Sequence, residues 1–123
     1  MKITLLSEDR IRLDGKAGPL SVEADSAEMQ YSPFHMLASG LATCTYSVLA
    51  SWGTHAKLPV DDLVIEVGWA FEENPHRVGS MDVDVIWPSL PEERRNAATR
   101  AAGLCTVTRT FEQPPKIGVE IKK

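Results

Sequence analysis

The sequence predicts an α+β fold in which a largely antiparallel sheet packs on one long, buried central helix. Three observations predict it. Residues 29–56 contain no Asp, Glu, Lys or Arg, and read as a helix with no charged face. Residues 63–72 and 81–87 alternate apolar and polar side chains on either side of a turn at Asn74-Pro75, the pattern of a hairpin with one buried face. Strand-like segments also come in groups separated by helical ones, which favours α+β over a parallel sheet.

Each element has a local reason. Lys2-Ile3-Thr4-Leu5, Arg10-Ile11-Arg12-Leu13 and Leu20-Ser21-Val22-Glu23-Ala24 alternate as short, half-exposed strands, with Asp14-Gly15 as a hairpin turn signal. Ser32 followed by Pro33 starts the long helix, a hydroxyl N-cap before a proline at the first helical position, and Gly53 is the expected C-terminal cap. That interval is about 20 residues, or ~30 Å of helix. Ser39, Thr43, Ser47 and Ser51 recur every four positions, a stripe of small side chains that lets another helix approach closely. A single sheet covers only one side of a helix, so we expect this one to pack also on a second helix, that of its own symmetry mate.

In the hairpin, Leu63, Ile65, Val67, Trp69 and Phe71 share one parity, as do Met81, Val83, Val85 and Trp87, with Asp82 and Asp84 on the other. Ser89 and Glu92 have capping-box spacing for a second helix, whose face carries Ala97, Ala98, Ala101 and Cys105, with Gly103 bending or ending it. Pro114-Pro115 stops the helical turn that follows. Ile117, Val119 and Ile121 then alternate as a last strand.

The 123 residues, 43% hydrophobic and 24% charged, are expected to form one domain spanning 1–123. A net charge of −4 is a poor match to a phosphate-tracking protein, so no nucleic-acid partner is expected. The uncharged helix is not expected to span a membrane, because His35, Gly40 and its many Ser and Thr residues are too polar. The first dozen residues lack a signal-peptide pattern, which gives the cytoplasm as the default compartment.

Chemistry rests on two cysteines. Cys44 lies in the uncharged helix and Cys105 follows the second helix; in a reducing compartment they are either packing residues or a redox pair. The two cysteines, His35, His55 and His76 lack zinc-site spacing, so no metal is expected. There is no phosphate loop, nucleophile elbow or paired-carboxylate motif, and no cofactor is expected. Tyr46, Trp52, Trp69 and Trp87 read as core residues, with lining of a ligand pocket as the alternative.

The run Ser32-Pro33-Phe34-His35-Met36-Leu37-Ala38-Ser39-Gly40-Leu41-Ala42-Thr43-Cys44 resembles the helix of the OsmC/Ohr family. Ala101-Ala102-Gly103-Leu104-Cys105-Thr106-Val107-Thr108 is similar to its second cysteine segment. The resemblance covers about residues 20–121. It implies an OsmC-like fold and an intertwined homodimer whose two long helices pack centrally. It implies also a thiol peroxidase acting on organic hydroperoxides, with Cys44 as the attacking thiolate, Cys105 as the resolving thiol and an external dithiol as reductant.

One motif departs from the family. Active members carry a glutamate shortly after the helix-starting proline, which orients an arginine from the N-terminal strands onto the thiolate. Phe34 and His35 stand there instead, and are expected at the substrate; Arg10 and Arg12 match no family arginine by motif and read as exposed strand residues, with reach to the pocket as the alternative. The departure keeps a second class open, a non-catalytic small-molecule binding or redox-sensing protein on the same fold.

Overall fold

The structure is a computed structural model. It describes residues 2–7 and 10–14 as backbone and residues 32–123 in full. The expected strand at Leu20–Ala24 lies outside the described residues. The chain divides into two units, Met1–Gln30 and Tyr31–Lys123.

In the first unit β1 (Lys2–Ser7) pairs antiparallel with β2 (Arg10–Asp14). The register runs from Lys2 opposite Asp14 to Ser7 opposite Arg10. The hairpin therefore closes between Ser7 and Arg10; Asp14 is the last residue of β2, and the expected turn at Asp14-Gly15 lies outside the described residues.

The second unit begins with α1 (Pro33–His55). Ser32 is its N-cap and Pro33 its first residue, as the sequence predicts. His35 completes a reciprocal cap that the sequence reading missed, because imidazole here replaces the usual Glu or Gln of the motif. The Ser32 backbone N–H donates to His35 Nδ1 at 3.2 Å, and the His35 backbone N–H donates to Ser32 Oγ at 3.3 Å. The helix does not stop at Gly53. It runs two residues further, and Gly53 is buried because a Cβ there would lie 2.8 Å from both Trp87 Cη2 and Val60 Cγ1. Gly53 serves close packing and not chain reversal.

β3 (Val64–Glu72) and β4 (Arg77–Ile86) form the antiparallel hairpin, with Ile65 opposite Val85, Val67 opposite Val83 and Trp69 opposite Met81. The register slips between Ala70 and Phe71, where Gly79 is the extra residue of a bulge. A side chain on Gly79 would run into that of Glu72. Phe71 keeps the parity of Trp69 and packs on Phe34 of α1, but stays exposed near the end of the strand.

A 3-10 turn (Glu92–Arg94) leads into α2 (Arg95–Ala102), followed by α3 (Thr106–Glu112). Ser89 does not cap this turn. Its Oγ donates to Asp62 Oδ1 at 2.7 Å and its backbone N–H to Asp62 Oδ2 at 2.7 Å, which ties the chain after β4 to the turn before β3. The carboxylate two residues before the strand outcompetes the Glu92 box because it accepts both Ser89 donors at once.

The core sits where α1 meets β3 and α2. Leu49, Leu63, Trp87, Ala98 and Ala101 form it, with Trp52 edge-to-face on Trp87 at 6.1 Å and Trp87 Nε1 donating to the Pro59 carbonyl at 2.9 Å. The alanine face of α2 is buried as its spacing predicts.

Among the described residues α1 is covered on one side, where Ala38, Leu41, Thr45, Leu49 and Gly53 make one buried stripe. Met36, Leu37 and Tyr46 are exposed, as are Thr43, Ser47 and Ser51 of the small-residue stripe. The chain's own β3, α2 and α3 reach only one side of the helix. The expected last strand is corrected: it is not formed. Residues 114–123 are neither helix nor strand, and Ile117, Val119 and Ile121 are 85–89% exposed. Alternation makes a strand only where a sheet edge supplies the hydrogen bonds. Among the described residues no helix is long and apolar enough to cross a membrane.

Candidate redox site

α1 and the start of α3 bring the two cysteines together. Cys44 follows the exposed Thr43 and precedes the buried Thr45, so it sits at the edge of the buried stripe and is half-buried. Cys105 has no exposed surface. Gly103 ends α2 and the chain turns at once, so that Cys105 becomes the N-cap of α3 and its carbonyl accepts from the Arg109 N–H at 3.1 Å. Neither cysteine is in a disulfide.

The Cys105 sulfur is surrounded by donors. Cys44, Thr45 and Thr108 lie around it and favour its ionised form. The Cys105 side chain makes no capping hydrogen bond to the first turn of α3. Burial opposes ionisation of Cys105 and is the largest single influence. The influences of Cys44, Thr108 and Thr45 together exceed it, and hold the Cys105 thiol below its ordinary value of 9.0. Thr45 is itself anchored, its hydroxyl donating to the Leu41 carbonyl at 2.8 Å.

Two cavities flank this cluster along β4. One, of about 710 Å³, is bounded by Phe34, Leu37 and Leu41 of α1, by residues of β4 from Arg77 to Val83, and by Thr108, Phe111 and Glu112 of α3. The other, of about 760 Å³, runs between residues 83–87 and α2, with Thr45, Glu66, Arg95 and Trp87 in its wall. Thr108 and Val83 border both. The first cavity is largely apolar and suits a hydrocarbon-bearing ligand. At its outer end Arg77 Nη2 donates to Glu72 Oε2 at 2.9 Å and Nη1 to the Pro75 carbonyl at 3.0 Å. His76 lies beside it, 2.8 Å from Glu73 Oε1 and stacked on Phe71.

Phe34 lies in the wall of the first cavity and edge-to-face on Phe71 at 4.9 Å. His35 is not in that wall. It caps α1 and meets Trp69 edge-on at 5.0 Å. Arg10 and Arg12 lie in β2, of which only the backbone is described, in the other unit. Among the four aromatic pocket candidates only Trp87 borders a cavity, the second. The sequence reading missed Thr108 and Arg77. Thr108 was discoverable from its spacing three residues after Cys105, the distance from an N-cap to the amide it faces. Among the described residues no three of His, Cys, Asp or Glu converge as a metal site.

The sequence profile described as OsmC-like protein matches residues 20–120, both cysteines included. The chain belongs to the OsmC-like family. That family includes peroxidase-type members. A comparison with curated proteins finds no match. Among solved structures, the OsmC-like chain is similar to a protein from Psychrobacter arcticus 273-4 described as a candidate osmotic stress induced and detoxification response protein. The TM-score is 0.61 at 19% identity, over 68% of this chain and 62% of that one. At that identity the likeness is one of fold, and it spans less than two thirds of the other chain.

Proposed function

We propose that this OsmC-like chain is a thiol peroxidase that reduces organic hydroperoxides through Cys44 and Cys105. The observation that supports the reading is the placement of the two thiols as electrostatic neighbours beside an apolar cavity. Cys44 is the more accessible sulfur and takes the attacking role; Cys105, fully covered, resolves.

One proton serves both sulfurs. Its transfer from Cys44 to Cys105 puts the charge on the accessible sulfur, which attacks the outer peroxide oxygen. An S–O bond forms, the O–O bond breaks, and the alkoxide takes the proton back from Cys105 and leaves as alcohol. The Cys105 thiolate then attacks the Cys44 sulfenic acid, an S–S bond forms, and hydroxide departs. An external dithiol returns both thiols by exchange. Phe34, Leu37 and Leu41 hold the apolar part of the substrate.

The chain acts as a homodimer in this reading, in a reducing cytoplasm. The exposed, uncharged side of α1 and the exposed alternating segment Ile117, Val119, Ile121 support the dimer, since both are surfaces that a second copy covers.

A second reading is favoured by one observation. His35 is engaged in capping α1, and neither it nor Phe34 supplies the carboxylate that orients an activating arginine in the family's peroxidases. The alternative is a binding or redox-sensing protein that keeps the cavity without turnover. Intact mass after one equivalent of an organic hydroperoxide separates the two. Loss of two hydrogens per chain, with a sulfenic adduct in Cys105→Ser, is the peroxidase result. Free thiols after an hour in large excess overturn it in favour of binding.

A further inference from the structure

The inward side of α1 is shared between the two cavities. Phe34, Leu37 and Leu41 border the first, and Thr45 and Leu49 border the second. Cys44 stands between Leu41 and Thr45, where one cavity gives way to the other. The opposite wall changes over at the same level, since Val83 of β4 and Thr108 of α3 border both. Cys105 belongs to that level too: Gly103 before it and Thr108 after it are both in the wall of the second cavity. The cysteine pair therefore occupies the waist between two openings.

The openings differ in chemistry. In the first, the wall from α1 is apolar and both basic groups are engaged, Arg77 with Glu72 at 2.9 Å and His76 with Glu73 at 2.8 Å. In the second, Glu66 and Asp84 face each other across β3 and β4. Its one base, Arg95, is paired at 3.3 Å with Glu92, which is not in the wall. Among the described residues neither Glu66 nor Asp84 forms an ion pair. The second opening is therefore electronegative and disfavours an anionic visitor. A disulfide cycle has two visitors of unlike chemistry, an oxidant and a reductant, in alternate half-cycles. We propose that the second cavity is the port of the reductant, a small dithiol with an uncharged or cationic body, which reaches the Cys44–Cys105 disulfide without passing through the hydroperoxide cavity.

The exchange balances as follows. One thiolate of the dithiol attacks the sulfur of Cys44, the more accessible of the two. A bond forms between that sulfur and the reductant, the Cys44–Cys105 bond breaks, and the electron pair leaves on Cys105. The second thiol of the reductant then attacks its own first sulfur, closing a cyclic disulfide and releasing Cys44. The two protons of the dithiol end on the two cysteines. Separate ports let the alcohol product leave one cavity while the reductant enters the other. The assignment rests on the redox reading of the pair, but the disulfide that tests it is formed without peroxide.

The test oxidises the full chain with diamide and follows reduction of the internal disulfide by two reagents, uncharged dithiothreitol and dimercaptosuccinate, which carries two carboxylates. Thr99 is exposed on α2 and lies in the wall of the second cavity only. Thr99→Phe narrows that port. It should slow reduction by dithiothreitol about tenfold, a cost in line with a misplaced reactant, while oxidation of the reduced chain by cumene hydroperoxide keeps its wild-type rate. Glu66→Gln with Asp84→Asn removes the two charges. This double variant should speed dimercaptosuccinate about fivefold relative to dithiothreitol at low salt, and the gain should vanish at high salt. Comparison of each reagent between variant and wild type cancels its intrinsic reactivity. An unchanged reduction rate in Thr99→Phe, or an unchanged ratio of the two reagents in the double variant, overturns the proposal. Equal slowing of oxidation and reduction by Thr99→Phe means one shared opening and overturns it too, as does a chain that diamide leaves with both thiols free. Circular dichroism shows whether each variant keeps the fold; if Thr99→Phe does not, Thr99→Leu is judged on the same criterion. A diamide-formed disulfide that behaves as expected, in a chain whose thiols ignore hydroperoxide, would overturn the peroxidase reading alone.

Discussion

Cys44, half-buried on α1, is the neighbour of Cys105, fully buried at the start of α3, across 61 positions of sequence. The asymmetry between an accessible and a covered sulfur gives different outcomes for the two serine variants. Cys44→Ser should abolish peroxide consumption. Cys105→Ser should permit one turnover and then stall until a small thiol is added. Stopped-flow single-turnover measurements on both variants decide it; stoichiometric consumption by Cys44→Ser alone reverses the roles.

The lowered Cys105 ionisation predicts how stability varies with pH. The folded chain releases this proton more readily than the unfolded chain, whose thiol keeps the ordinary value of 9.0. Between the lowered folded value and pH 9 the unfolded state binds more protons, so stability rises with pH across that window. The contribution is fully present above the unfolded value and is lost as pH falls through the folded one. Urea midpoints of wild type and Cys105→Ser should diverge as pH rises toward 9, in favour of wild type. Parallel curves would refute the prediction.

Gly53→Ala should destabilise the second unit. The new methyl would meet Trp87 and Val60 at 2.8 Å, inside van der Waals contact, and Trp87 is a core residue whose indole N–H is fixed on the Pro59 carbonyl. Overpacking of this kind costs about 1–3 kcal/mol. Chemical denaturation measures it; a cost near zero would mean that the core yields.

Glu66 and Asp84 face each other directly across β3 and β4, both exposed. Like charges at paired positions destabilise, so Glu66→Lys should stabilise the hairpin by about 0.2–1 kcal/mol, the usual size of a cross-strand pair. Thermal denaturation at low and at high salt checks both the sign and its electrostatic origin.

Ser47 lies on the exposed, uncharged side of α1. If a second copy covers this side, Ser47→Glu buries an unpaired charge there and should shift the chain toward monomer. Size-exclusion chromatography with light scattering reads the result. A wild-type monomer near 13.5 kDa at micromolar concentration would sink the dimer outright.

Periodicity and caps determined much of this fold in advance. The start of α1 at Pro33 follows from a hydroxyl and a proline in adjacent positions. The β3–β4 pairing follows from alternation around a turn, and the buried face of α2 from alanines at helical spacing. These are local signals, because backbone geometry repeats every two or every 3.6 residues. Both cysteines were legible as the candidate chemistry for a different reason: they alone combine with the surrounding small-residue runs into the family pattern, over residues 20–120.

Tertiary structure alone decided the rest. That Gly53 packs instead of capping depends on Trp87, 34 positions away, and that Ser89 binds Asp62 instead of opening a helix depends on a carboxylate 27 positions earlier. The alternation at Ile117, Val119 and Ile121 specifies a face but no partner edge, so it forms no strand within the described unit. The lowering of Cys105 is likewise invisible in the sequence. It arises from donors on two separate helices that outweigh the cost of burial, and only the packing of α1 against α3 brings Cys44, Thr45 and Thr108 around one sulfur.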